Sequence, residues 1–132
     1  MEFTVSTSKK QQLINITQQV EDAVNKSGVK EGLCNVYVQH ATAAIIINEN
    51  ADPNISLDII DALDKMVKES GWRHDRIDNN AAAHIKAAIL GPSKTIPIEE
   101  CKMLLGTWQD IFLCCFDGPR ERTIKVTVIE TR

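Results

Sequence analysis

The feature that most constrains the fold is the change of hydrophobic period along the chain. Side chains of a strand alternate between two faces, whereas those of a helix return to one face about every 3.6 residues. Residues 2–6 alternate. Residues 33–39 set Leu33, Asn35 and Tyr37 against Cys34, Val36 and Val38, and residues 43–48 form a β-branched run too short for a helix. Residues 95–98, 102–105, 110–116 and 123–130 also read as strands, with turns at Glu99-Glu100-Cys101 and Asp117-Gly118-Pro119-Arg120.

The helical period falls between these groups. Leu13, Ile16, Val20 and Val24 recur at helical spacing until Gly28 offers a stop. Asp52-Pro53 reads as an N-cap followed by proline at the first helical position. The helix it opens runs to about residue 69, with Ile59, Ile60, Leu63, Met66 and Val67 as its buried stripe. Residues 71–80 read as an ordered polar loop, and residues 81–90 as a short helix ended by Gly91-Pro92. Strands 33–39 and 43–48 are expected to pair, with His40, Ala41 and Thr42 in their connection. Strands at both ends and helices between them predict an α+β domain whose sheet mixes sequence-distant strands.

At 132 residues the chain fits one domain, 1–132, which buries about two-thirds of its unfolded surface. A net charge of −3, with two Trp, one Tyr and three Phe, supplies neither a basic footprint nor a stacking platform for nucleic acid. The first residues carry no basic and apolar leader, and no segment approaches the ~20 apolar residues that cross a bilayer, so a soluble cytoplasmic protein is expected. Cys34, Cys101, Cys114 and Cys115 show no C-x-x-C spacing and read as reduced packing residues. Adjacent Cys114 and Cys115 should point to opposite faces of a strand.

Chemistry is concentrated at segment ends. His40, His74 and His84 are the only histidines, and each sits where an apolar segment meets a polar one. Imidazole suits both proton transfer near neutral pH and transition-metal ligation. Their gaps of 34 and 10 residues match no short metal motif, so only folding can bring them together. Asn48-Glu49-Asn50 follows the run Ala44-Ile45-Ile46-Ile47, and Glu49 there can act as general base or carboxylate ligand. Asp52 is expected to cap the helix rather than touch a ligand. His84 falls in the first turn of the short helix, whose free N–H groups suit a phosphate or carboxylate. Trp108 is expected to pack in the core or an interface. Arg120 and Arg122, on the turn after Asp117, are forks of the kind that hold phosphate, although on a hairpin tip such groups are usually just solvated.

Taken together, these words resemble the YjbQ-like family, whose proteins are often labelled secondary thiamine-phosphate synthases. The resemblance runs from about Gly32 to Ile129 through His40-Ala41-Thr42-Ala43, Asn48-Glu49-Asn50-Ala51-Asp52-Pro53, His74-Asp75, Ala83-His84-Ile85-Lys86-Ala87, Leu90-Gly91-Pro92-Ser93, Gly106-Thr107-Trp108-Gln109 and Asp117-Gly118-Pro119-Arg120. It implies an α+β fold like a mixed-sheet β-sandwich with about three helices, assembled as a homotrimer with polar sites near subunit boundaries. It also implies that His40, His74 and His84 correspond to the family's histidines, with Glu49 nearby. Two positions depart from the pattern. Cys101 stands where the family's turn carries glycine, which changes turn strain. Cys115 stands where it carries glutamate, so a role for that carboxylate does not transfer.

The activity implied joins hydroxymethylpyrimidine diphosphate to a thiazole phosphate and releases pyrophosphate. The leading expectation is therefore an enzyme of small phosphorylated metabolites. Its catalytic residues would be His84 and Glu49, its metal ligands His40, His74 and His84 for a divalent ion, zinc or magnesium, and its anion-binding residues Asn48, Lys86 and Arg120. The alternatives are a metal-dependent hydrolase that uses the same residues and a non-enzymatic trimeric anion-binding protein.

Overall fold

A computed structural model describes residues 1–132. Eight strands form two antiparallel sheets, and three α-helices and one 3-10 helix accompany them. In chain order the elements are β1 (Glu2–Ser6), β2 (Gln12–Asn15), α1 (Thr17–Ser27), β3 (Gly32–Val38), β4 (Ala43–Glu49), α2 (Asn54–Met66), the 3-10 helix Arg73–Arg76, α3 (Ala81–Leu90), β5 (Ser93–Glu99), β6 (Lys102–Met103), β7 (Gln109–Cys115) and β8 (Glu121–Glu130). The larger sheet has the order β1-β8-β3-β5-β6 and the smaller β2-β7-β4. What is mixed is the sequence order of the strands, since every ladder is antiparallel.

Burial follows the sequence patterns closely. The alternating strands β3 and β8 send Cys34, Val36, Val38, Ile124 and Val126 into the space between the sheets, where they meet Ala43, Ile45, Ile111 and Leu113 and the apolar face of α1. The continuous apolar runs of β4 and β7 have both faces covered, as such runs require. Ala44, Ile46, Phe112, Cys114 and Phe116 turn away from the larger sheet toward Leu63 of α2 and Ala83 and Ala87 of α3. Cys114 and Cys115 do face opposite sides. Cys114 belongs to this second cluster, and Cys115 contacts Thr7 and Arg122.

Several expectations change. Strands β3 and β4 do not pair: β3 lies between β5 and β8, and β4 is bonded to β7. The chain between them crosses from one sheet to the other, because the β-branched run is buried on both faces and needs a central neighbour. The first helix starts later than its periodicity suggests. Leu13 and Ile14 pair with Cys114 and Leu113 in β2, and Asn15 Oδ1 accepts from the Thr17 N–H at 2.9 Å and hydroxyl at 2.7 Å, setting the helix start. Its end at Gly28, with φ of 68°, is as expected.

In α2, Leu63 and the following Val67 are buried, whereas Met66 is exposed and ends the helix. Asp52 accepts from Asn54 N–H at 2.9 Å but stands one residue before the N-cap, which is Pro53, so the proline precedes the helix instead of forming its first position. Strand β6 is shorter than expected. Its two-residue turn places Glu100 and Cys101 at φ of 50° and 68°, the left-handed pair that a tight hairpin demands. No helix is long and apolar enough to cross a membrane.

Candidate functional site

The sheet-crossing corner His40-Ala41-Thr42, the start of α3 and the β7–β8 turn border an open polar cavity of about 480 Å³ lined by His40, Thr42, Asp78, Asn80, His84, Asp117, Arg120, Glu121 and Arg122, with Ala41. Each wall has a structural reason. The corner is tied to both sheets, since Phe116 N–H donates to the Thr42 carbonyl at 3.1 Å and Thr123 N–H donates to His40 Nε2 at 3.0 Å. The start of α3 is held by Asp75, whose carboxylate accepts from Trp72 N–H at 3.0 Å and Ala81 N–H at 3.2 Å. The turn is held by Thr7, whose hydroxyl accepts from Arg120 N–H at 2.8 Å and donates to its carbonyl at 3.1 Å.

Arg122, read with Arg120 as a fork on a hairpin tip, is instead buried. Only 2% of it is exposed. It shares the inward face of β8 with Ile124 and Val126, and that period-two pattern is the signal that distinguishes a core-facing arginine from one on a hairpin tip. Its Nη2 donates to Thr42 Oγ1 at 2.9 Å, and its Nε and Nη2 lie 3.3 and 3.2 Å from Cys115 Sγ. No carboxylate pairs with it. Arg120 is half exposed and donates to the carbonyl and the carboxylate of Asp117. Burial pushes the Asp117 carboxyl up, but hydrogen bonds from Asn80 and Arg120 and the charges of Arg120 and Arg122 outweigh it and hold the group below its ordinary value.

The histidines divide. His40 and His84 line the cavity, and His74 packs edge-on against His84 with ring centroids 4.8 Å apart and planes at 84°. His74 Nε2 is buried without a hydrogen-bond partner, Asp78 Oδ2 being 3.6 Å away. Burial and then the charges of Arg122 and Arg120 push His40 below its ordinary value. Because its Nε2 accepts from Thr123, the neutral ring carries its proton on Nδ1. That arrangement does not fit the expected three-histidine metal centre within one chain. The commoner ligating nitrogen of His40 is occupied, and no three His, Cys, Asp or Glu side chains are placed around one ion.

Other expected site residues lie elsewhere. Lys86, expected to bind an anion, is 2% exposed and donates to Asp64 Oδ1 at 2.5 Å and Gln11 Oε1 at 2.8 Å, so its charge is used inside the fold. Glu49 and Asn48 pair with Gln109 and Asp110 at the far end of β4. Glu49 lies six positions beyond Ala43 at the cavity end, about 20 Å along a strand. One chain therefore does not bring Glu49 to His84. Trp108 is 63% exposed and Cys101 is exposed, so neither packs in the core. Cys34 and Cys114 do, and burial raises their thiols to about 11 and about 12, which keeps them from acting as thiolates.

Fold and cavity together define a two-sheet α+β protein with a polar site built on a buried arginine. The family described as UPF0047 protein YjbQ-like matches residues 1–131, and the chain belongs to it. It is similar to UPF0047 protein MJ1081 of Methanocaldococcus jannaschii, 43% identical over 96% of this chain and 91% of that one. It is also similar to UPF0047 protein YugU of Bacillus subtilis, 37% identical over 95% of each. A crystal structure of a YjbQ/UPF0047 protein from Clostridium acetobutylicum superposes with a TM-score of 0.94 at 45% identity, covering 98% of this chain and 99% of that one.

Proposed function

We propose that the cavity binds the phosphate of a small phosphorylated metabolite and that the chain is an enzyme of such metabolites, the thiamine-phosphate-forming transfer being the reaction to test first. The observation that supports this reading most is Arg122, buried without a carboxylate partner on the wall of a polar cavity that also carries Arg120, His40 and His84. In that transfer the thiazole nitrogen forms a bond to the pyrimidine methylene carbon. The carbon–oxygen bond breaks, and pyrophosphate leaves with its electron pair. Guanidinium groups aimed at the departing oxygens stabilise that charge more than they stabilise the starting diphosphate. His40, donating from Nδ1, and His84, with no side-chain hydrogen bond of its own, are the groups for orienting the anion and exchanging a proton with it.

A divalent ion, zinc or magnesium, would add to the neutralisation of the diphosphate. One chain does not gather three ligands for it, so the steps above use the chain's own groups. Assembly as a homotrimer would give Glu49 and Trp108 a neighbouring subunit to meet, and light scattering that returns one chain's mass would remove Glu49 from the catalytic set.

The test is to incubate the purified protein with both substrates and magnesium and to measure thiamine phosphate and pyrophosphate. Turnover by the native chain, reduced at least about tenfold in Arg122→Met and His84→Ala, is the expected result. Pyrophosphate binding without turnover would select the non-enzymatic anion-binding reading, and no anion binding at all would sink both.

A further inference from the structure

We propose that helix α2 pairs antiparallel with α2 of a second copy of this chain, about a twofold axis, through the seam Ile55, Ile59, Ala62 and Met66. This face shares no residue with the polar cavity, so the pairing is independent of what the cavity binds.

A helix on the surface of one domain turns a single apolar stripe to the core. Helix α2 carries two, and of its apolar side chains only Leu63 is buried. The first stripe faces the body of the chain. It consists of Leu63 with half-buried Ser56 and Ile60 beside it and Val67 beyond the helix end, and Asp64 meets Lys86 at its margin. The second stripe lies about a quarter turn further round. Ile55, Ile59, Ala62 and Met66 follow one another at spacings of four, three and four, the a and d pattern of a left-handed helix pair. Met66 is 69% exposed, Ala62 is exposed, and Ile55 and Ile59 are half-buried. Ile59 borders both stripes, since it also packs against the cluster of Leu63 and Phe116.

Charge identifies what covers the seam. Asp58 and Lys65, seven positions apart, are both exposed and flank it on the side away from the body, at the g positions of the heptad. Neither forms an ion pair within the chain. The e positions on the other flank are Ser56 and Leu63, which the body already covers. In a parallel pair g faces e of the other helix, whereas in an antiparallel pair g faces g. Antiparallel pairing therefore sets Asp58 against the partner's Lys65 and Lys65 against the partner's Asp58. It also lays the partner's Met66 over Ile55 and the partner's Ala62 over Ile59. The stripe is complementary to itself, as a twofold contact requires. About three turns of helix make an interface smaller than that of a permanent dimer, so a micromolar dissociation constant is expected. On a chain that is a trimer by other contacts, the same pairing gives a hexamer.

Sedimentation of the full chain from about 1 to about 500 µM, a range that brackets a weak interface, tests this. The native mass should rise to an even number of chains. Ala62→Glu puts a carboxylate into the seam and should hold the mass at half that number, with an unchanged far-UV circular dichroism spectrum. Asp58→Lys and Lys65→Asp should each lower the association constant by about tenfold or more, because two attractive pairs become repulsive. The chain carrying both substitutions, and an equimolar mixture of the two single variants, should each return to within about threefold of native. A native mass that stays at one chain, or at an odd number of chains, overturns the proposal. So does a mass that Ala62→Glu leaves unchanged, or a loss in the single variants that neither combination rescues, since only the antiparallel pair opposes position 58 to position 65. If Ala62→Glu does not fold, the native mass and the charge variants, both at exposed positions, decide the matter.

Discussion

Lys86 and Arg122 are buried to the same degree, 2% exposed each, on opposite sides of the strand pair β4 and β7. Their surroundings differ in one respect that matters. Lys86 has Asp64 at 2.5 Å and Gln11 at 2.8 Å, so α3, α2 and the segment before β2 are joined by a locally neutral pair. Arg122 has the sulfur of Cys115 and the hydroxyl and carbonyl of Thr42, and no carboxylate. The counter-ion of Lys86 is built into the fold, whereas no carboxylate lies within ion-pair distance of Arg122.

The largest expected effect follows from removing the unpaired cation. Arg122→Met should lower sulfate or pyrophosphate affinity, and any turnover, by about a hundredfold, as loss of a donor to developing or buried negative charge does. Its thermal midpoint in the absence of ligand should hold or rise, because an uncompensated buried charge has gone. A marked fall in that midpoint would show that Arg122 serves the fold as Lys86 does.

Lys86→Met should reverse the pattern. Urea unfolding is expected to show a loss of about 1–3 kcal/mol, below the full cost of breaking a buried pair because Asp64 is 44% exposed and can hydrate. Anion affinity should change less than about twofold, since surface and remote changes are usually small. A tenfold loss of binding would return Lys86 to the anion site.

His40 reports the field of Arg122 directly. Burial and the charges of Arg122 and Arg120 hold it below its ordinary value of 6.5. Its NMR titration midpoint should move upward in Arg122→Met and stay in place in Lys86→Met. The sign for stability follows from the same shift. Above pH 6.5 both folded and unfolded His40 are neutral, and as pH falls below 6.5 the unfolded chain binds the proton first, so stability declines. Asp117 adds a second decline at lower pH, because its lowered carboxyl stabilises the fold above 3.8 and that contribution is lost as pH falls through the folded value. His40→Gln, which keeps an acceptor for Thr123 N–H, should flatten the upper decline and leave the lower one.

The smallest effect is a control remote from both cations. Cys101 occupies a left-handed position at φ of 68°. Cys101→Gly should raise stability by about 1 kcal/mol or less, and anion binding should not move. A change in binding would mean that the β5–β6 turn and the cavity communicate.

Much of the site was legible as a list and not as a place. His40, His84 and Arg120 stand at segment ends in the sequence, and all three line the cavity. Lys86 belonged to the same resembling words, yet its position on α3 turns it toward Asp64 instead. Glu49 follows an apolar run as a site residue often does, but β4 carries it to the end remote from His40. Arg122 was readable only by continuing the alternation of Ile124 and Val126 backward into the turn.

The sequence by itself determined most of the strand and helix segments, apart from β2, which its helical spacing hid, and the length of β6. Period-two alternation marks β3 and β8 as half-buried, and the continuous runs of β4 and β7 mark them as covered on both faces, because each pattern reports how many apolar neighbours a strand must find. Only the tertiary structure decided that the His40 corner passes between two sheets, that His74 meets His84, and that one buried cation has a carboxylate while the other has a thiol. Those contacts join residues up to 83 positions apart, as His40 and Thr123 are. Local periodicity contains no information about such partners, and the charge left over at Arg122 is a property of the pairing alone.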